Sequence, residues 1–152
     1  MKSVFIGDPA LFAIELSEPA KTAGLRLHVE GRAYGDFKVR DDLTESIHDF
    51  GSLVQHIDSL SEPAIEGKSA EFVFDWILNT GDHAEFQRRR RYIRFMGEQM
   101  DSVTMFSYLR NGRLDWAFRH NRAQNERLHV HSIDKKVVVA VARAYIGWYR
   151  KS

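Results

Sequence analysis

The sequence contains no cysteine among its 152 residues. The chain therefore has no disulfide framework, no thiolate metal site and no thiol nucleophile. None of its apolar runs approaches the roughly 20 residues that a membrane-spanning helix requires. The first residues reach Asp8 and Pro9 too soon for a signal peptide. These absences lead us to expect a cytoplasmic protein without a membrane partner.

The sequence also lacks the short motifs that mark several enzyme classes. The segment between Gly31 and Gly35 has neither the lysine of a phosphate-binding loop nor the spacing of a dinucleotide-binding loop. No serine stands in a Gly-x-Ser-x-Gly nucleophile elbow. We therefore expect a protein that is not an enzyme, with no catalytic residue, no metal and no cofactor.

Length and composition are those of one globular domain. Hydrophobic residues make up 43% of the chain and charged residues 28%, which is ordinary for a globular protein. A chain of this length can bury roughly 70% of the surface of its unfolded state. Because no linker, repeat or low-complexity segment divides it, we predict a single domain over residues 1–152.

Alternation of apolar and polar residues predicts an antiparallel sheet of about five to seven strands. The alternation is clearest from Leu25 to Val29. Asn111 and Gly112, between two apolar segments, predict a hairpin with a type I′ turn. Residues 34–39 fit a strand or a bulged continuation of the preceding one. The other predicted extended segments are 4–6, 11–16, 92–96, 103–109, 114–118 and 128–131.

Helical spacing of apolar residues predicts two or three helices. The first begins after Asp42 or Thr44 and stops before Pro63. Residues 69–78 fit a short helix slightly better than a strand. A valine- and aromatic-rich helix closes the chain after Ser132 or Asp134, and it needs a sheet to pack on. Because strands and helices are segregated along the sequence, the predicted class is α+β.

The net charge of +1 conceals two oppositely charged segments. Residues 41–82 carry ten acidic residues against one lysine, and residues 86–127 carry ten arginines against four acidic residues. The two segments can neutralise each other, or each can face a partner. An acidic helix face would attract a basic protein and speed its docking. Its candidate contacts are Asp41, Asp42, Glu45, Asp49 and Asp58.

The arginine run and three histidines support an alternative function. Arginines that have aromatic neighbours can follow phosphates, although the run can equally pair with the acidic helix. His129 and His131 are two positions apart on a strand and share a face, with His120 nearby across a loop. Such histidines can bind a metal or act as an acid–base pair, as in a ribonuclease. The alternative is a nucleic-acid-binding or RNA-cleaving protein that uses Arg88, Arg89, Arg90 and Arg91 with these histidines.

Both ends of the chain resemble bacterial immunity proteins. The start, Val4-Phe5-Ile6-Gly7-Asp8-Pro9 followed by Phe12-Ala13-Ile14-Glu15, is similar to the group described as immunity protein 42. That group is found beside polymorphic and contact-dependent growth-inhibition toxins. The end is similar in its extended segment near Trp116, its strand at 128–130 and its apolar helix closing with Trp148-Tyr149. No catalytic motif comes with the resemblance, and the middle of the chain gives no residue-by-residue match.

The resemblance implies a small cytoplasmic protein that binds one cognate toxin domain and blocks its active site or substrate path. We expect the acidic set to contact a basic toxin. The run Arg88 to Arg91 is the reserve contact surface if the toxin surface is acidic.

Overall fold

The computed structural model of the chain describes residues 2–17, 22–121 and 126–152. These residues form nine strands in three antiparallel sheets, together with four helices. The strands are β1 (Ser3–Asp8), β2 (Phe12–Ser17), β3 (Thr22–Ala23), β4 (Leu25–Val29), β5 (Arg32–Tyr34), β6 (Asp41–Asp42), β7 (Val103–Arg110), β8 (Arg113–His120) and β9 (His129–Asp134). The helices are α1 (Thr44–His56), α2 (Ala70–Leu78), α3 (His83–Arg89) and α4 (Lys135–Lys151). The predicted α+β class is confirmed.

The first sheet has the strand order β1-β2-β4-β5. Ile14 at its centre pairs with Ile6 on one side and Leu27 on the other. β2 is buried on both faces, because its polar face is covered by side chains of β4. Arg26 and His28 reach over this face and bind the carboxylate of Glu15 at 2.7 and 2.8 Å.

The second large sheet has the order β7-β8-β9, and the short strands β3 and β6 pair separately. The predicted Asn-Gly turn is confirmed: Arg110 pairs with Arg113 across it. The two turn residues, Asn111 and Gly112, have φ values of +53° and +76°. These positive angles are what a type I′ turn requires.

Two predicted extended segments differ in the structure. Residues 34–39 do not form a strand beyond Tyr34, because Gly35 turns the chain with a φ of +117°. In the segment 92–96, Ile93 alone makes a strand-like bridge, to Phe106, after a short 3₁₀ turn at Arg90–Tyr92. Helix α3 was not predicted.

Side chains cap the first turns of α2 and α4, and the cap of α4 is one of the two predicted residues. The N-cap residue of α1 makes no such bond. Ser69 accepts a hydrogen bond from the N–H of Phe72 at the start of α2, and Asp134 accepts one from Lys136 at the start of α4. The cap position of α1 is Leu43, whose side chain makes no capping bond. Asp42 instead accepts the N–H of Thr44 from just outside the helix, at 2.9 Å.

One hydrophobic core joins the two large sheets to α1 and α4. Phe12 of the first sheet contacts Trp116 of the second, with ring centroids 5.3 Å apart. Phe50 of α1 lies against both rings and against Tyr145 of α4. The valine-rich closing helix therefore packs against the sheets, and this packing compensates for the modest helix propensity of its sequence. In the described part of the chain, no helix has the length and apolar character to cross a membrane.

Candidate functional site

A groove of about 760 Å³ runs between α1 and residues 87–95. Glu45 and His48 line its helix side, and Arg90 and Phe95 line the opposite side. Phe95 is 54% exposed, and the guanidinium of Arg90 lies 5.7 Å from the centroid of its ring. The groove therefore presents an exposed aromatic ring between charged groups of both signs.

Asp49 and Arg94 form a buried ion pair beside this groove. The carboxylate Oδ2 lies 3.6 Å from Nη1 of Arg94, and Oδ1 accepts the N–H of Phe95 at 3.3 Å. Burial raises the pKa of Asp49 and lowers the pKa of Arg94, because each charge is withdrawn from water. The expectation that Asp49 belongs to an outward acidic face is wrong, since it shares the inner face of α1 with Phe50 and Leu53.

The other members of the predicted acidic set separate into two places. Asp42 and Glu45 are exposed and Asp41 is half-buried at the start of α1. Hydrogen bonds from Thr44 lower the pKa of Asp42. Asp58 follows the far end of the helix, about 20 Å away by helical rise, and binds Lys135 at 2.8 Å. The acidic set is thus not one continuous patch.

The arginine run covers the last two residues of α3 and the first two of the 3₁₀ turn that follows. Two glutamates bind its side chains. Arg88 makes a bidentate contact with Glu62, through Nη1 at 2.7 Å and Nη2 at 2.9 Å. Arg91 binds the same carboxylate at 2.6 Å, and these bonds, Arg88 first, lower the pKa of Glu62 to about 2. Arg89 pairs with Glu85 at 2.8 Å. The run therefore neutralises glutamates of residues 62–85 and not the acidic face of α1.

Arg90 differs from its three neighbours. Its guanidinium donates a hydrogen bond to the Gln87 side chain at 3.2 Å and lies 5.7 Å from the centroid of the Phe95 ring. It makes no ion pair with a described carboxylate. Of the reserve contact surface, Arg90 and Arg91 line the groove, and Arg91 is neutralised by Glu62 whereas no described carboxylate pairs with Arg90.

A second polar centre lies where the β4–β5 hairpin meets β9. His131 is buried; its Nε2 lies 2.7 Å from the hydroxyl of Tyr34 and its Nδ1 lies 3.0 Å from a carboxylate oxygen of Glu30. Sequence reasoning found no carboxylate for these histidines, because Glu30 and Tyr34 precede His131 by about one hundred positions. The φ of Glu30, +50°, places it in the turn of the hairpin.

His120 and His129 lie together at the surface beside this centre. Their ring centroids are 6.2 Å apart, and Arg32 donates a hydrogen bond from Nη1 to Nδ1 of His129 at 3.0 Å. Partial burial lowers the pKa of His129, and the charges of Arg32 and His120 lower it further. No three histidine, aspartate or glutamate side chains of residues 2–17, 22–121 and 126–152 gather closely enough to hold a metal ion.

Comparisons of the chain with protein-family models, curated proteins and solved structures find no match. The groove beside α1 and the histidine cluster are therefore the features from which a function can be inferred.

Proposed function

We propose that this protein is an immunity-type inhibitor, which binds a cognate toxin domain in the groove beside α1 and covers the toxin's active site or substrate path. The observation that carries the proposal is the exposed ring of Phe95 at the edge of that groove. A large aromatic side chain left in water favours burial against a partner. Protein interfaces also concentrate their binding energy in aromatic and arginine side chains.

Arg90 supplies the second element of such an interface. Its guanidinium lies over Phe95, and no described carboxylate neutralises it. A partner residue that covers the ring would therefore also meet a positively charged group at the rim. An arginine beside an aromatic ring is the combination in which interfaces are enriched.

Electrostatic attraction supports a partner with a basic surface. Asp41, Asp42 and Glu45 lie together at the start of α1, and Glu45 lines the groove itself. Exposed carboxylates of this kind steer a basic protein to its docking site and raise the association rate. Asp49 supports the groove from below through Arg94, and Asp58 belongs to a different part of the surface.

The alternative of nucleic-acid binding through the arginine run has less support. Arg88, Arg89 and Arg91 already bind glutamates or backbone carbonyls with several of their donors. A phosphate would have to compete with these intramolecular contacts. Arg90 alone is a weak basis for a nucleic-acid site, because affinity for nucleic acid comes from several phosphate contacts acting together.

The experiment first seeks a gene beside that of this protein that encodes a C-terminal toxin domain, and then pairs the protein with that domain. Co-expression with the wild-type protein is expected to restore growth, and the two purified proteins are expected to form a complex. Phe95→Asp should abolish both effects, because it places a charge where the ring would be buried. Phe72→Asp is the matched control, since Phe72 is 44% exposed but lies on α2, away from the groove.

Thermal unfolding of both variants separates loss of binding from loss of folding. A toxin domain that still kills cells and does not bind the folded wild-type protein would refute the inhibitor function. A complex that forms equally well with Phe95→Asp and Phe72→Asp would refute the groove as the docking surface.

A further inference from the structure

We propose that Arg32, His120 and His129 form a binding site for a phosphate group. The site shares no residue with the groove beside α1, so it stands or fails independently of the inhibitor function. Arg32 is exposed, and both imidazoles are half-buried at the surface. All three side chains are therefore within reach of a ligand from solvent.

The hydrogen bond from Arg32 determines which ring nitrogen of His129 can face a ligand. Because Nη1 of Arg32 donates to Nδ1 of His129 at 3.0 Å, the proton of the neutral ring lies on Nε2. Nε2–H makes no hydrogen bond to another described residue. Arg32 also keeps donors for a ligand. Its guanidinium carries five N–H groups, and only one hydrogen bond, from Nη1 to His129, joins that guanidinium to a described residue.

His120 supplies a donor from a different direction. Its ring lies 6.2 Å from that of His129, centroid to centroid, and the ring planes are inclined by 68°. No hydrogen bond links the His120 ring to another described residue. Neighbouring donors with different orientations suit the tetrahedral oxygens of a phosphate better than the two coplanar oxygens of a carboxylate, which prefers a single bidentate arginine.

The charges around the cluster favour an anion. Burial lowers the pKa of His129 most, and the cationic groups of Arg32 and Arg127 lower it further, as does electrostatic interaction with His120 and His131. The carboxylate of Glu30 does not neutralise His129, because it lies 3.0 Å from Nδ1 of His131, whose other nitrogen binds Tyr34. A bound phosphate would place a negative charge beside Arg32 and the two imidazoles.

The buried side of the cluster holds the site in place. The ring of Tyr34 stacks on Phe118 at a centroid distance of 3.8 Å and lies 5.7 Å from His120. Arg32 and Tyr34 belong to the same short strand, β5, and His129 begins β9. His120 ends β8, so the three residues of the site lie on three strands, which the packing of Tyr34 against Phe118 and His131 holds together.

The test is an NMR titration of the histidine rings with inorganic phosphate, at ionic strength held constant with sodium chloride. We expect saturable shifts of His120 and His129, and a rise in the pKa of His129 when phosphate is bound. Arg32→Gln should weaken phosphate binding about tenfold, as the loss of a charge-assisted contact. Arg150→Gln, which removes an exposed arginine at the far end of α4, should leave it unchanged.

A short oligoribonucleotide provides the second arm of the test. Competition with inorganic phosphate for the same two rings would assign the site to the phosphates of a nucleotide chain. Phosphate binding without such competition would assign it to a small phosphate compound. The proposal is overturned if the ring shifts do not saturate, if sodium chloride alone reproduces them, or if Arg32→Gln binds phosphate as tightly as the wild-type protein.

Discussion

The hydroxyl oxygens of Ser46 and Tyr145 lie 2.6 Å apart and join the first turn of α1 to α4. Ser46 also donates to the carbonyl of Leu43 at 2.9 Å, so its oxygen accepts the proton of Tyr145. Both side chains are buried, and burial raises the pKa of the tyrosine hydroxyl well above its usual range. The two helices that frame the core are thus connected by one directed hydrogen bond.

This bond predicts unequal effects for its two partners. Ser46→Ala should lower the free energy of unfolding by about 1–3 kcal/mol, because it leaves the buried Tyr145 hydroxyl without an acceptor. Tyr145→Phe should cost about 1 kcal/mol, because Ser46 retains its bond to Leu43. Urea unfolding measures both, and the double variant should lose less than the sum. A larger loss for Tyr145→Phe would contradict the direction of the bond.

Two aspartates of the predicted acidic set should differ sharply in their effect on stability. Asp49→Ala leaves the buried guanidinium of Arg94 without its carboxylate, and a loss of about 3–5 kcal/mol is expected. Asp58→Ala removes an exposed ion pair with Lys135 and should cost about 1 kcal/mol or less. Guanidinium chloride unfolding of the two variants makes the comparison. Equal losses would show that Asp49 and Arg94 are not a buried pair.

Glu62 should make part of the protein's stability depend on pH. Its pKa in the folded protein, about 2, lies below the ordinary value of 4.5 because Arg88 and Arg91 bind its ionised form. A lowered carboxyl pKa stabilises the fold above pH 4.5, and this contribution disappears as the pH falls towards 2. Glu62→Gln should therefore destabilise the protein at pH 7 and have little effect near pH 2.

The measurement is urea unfolding of the wild-type protein and Glu62→Gln across this range. Glu66→Gln is the control, because Glu66 is exposed and has no arginine contact among the described residues. If the difference between wild-type protein and Glu62→Gln is independent of pH, the arginine contacts to Glu62 do not favour its ionised form.

Kinetics should separate two contributions to docking in the groove. Phe95→Ala is expected to weaken binding of the toxin domain by about 2 kcal/mol or more, mainly through faster dissociation, because it removes a buried anchor. Glu45→Lys should mainly slow association and reduce its dependence on salt, because Glu45 acts at long range at the rim. Surface plasmon resonance at two salt concentrations measures both rates. Unchanged association for Glu45→Lys would remove the acidic rim from the interaction.

Local sequence patterns determined much of the secondary structure. The strand from Leu25 to Val29, the Asn111–Gly112 turn and the helix capped by Asp134 all follow from interactions within a few residues of each other. Alternation, positive φ angles and a capping oxygen act over such short ranges, so they can be recognised without knowing the fold. The same reasoning missed α3, whose seven residues carry no buried side chain and hence no apolar stripe.

The tertiary structure determined which charged residues are buried or paired, and which residues form each candidate site. Asp49 is a charged residue that lies on the inner face of α1. Its burial is compensated by the ion pair with Arg94, which lies forty-five positions later in the sequence. Glu30 and Arg32 meet His131 and His129 because the β4–β5 hairpin packs against β9, about one hundred positions away along the chain. Composition and spacing fix which groups are charged, but desolvation and pairing depend on neighbours that folding brings from distant segments.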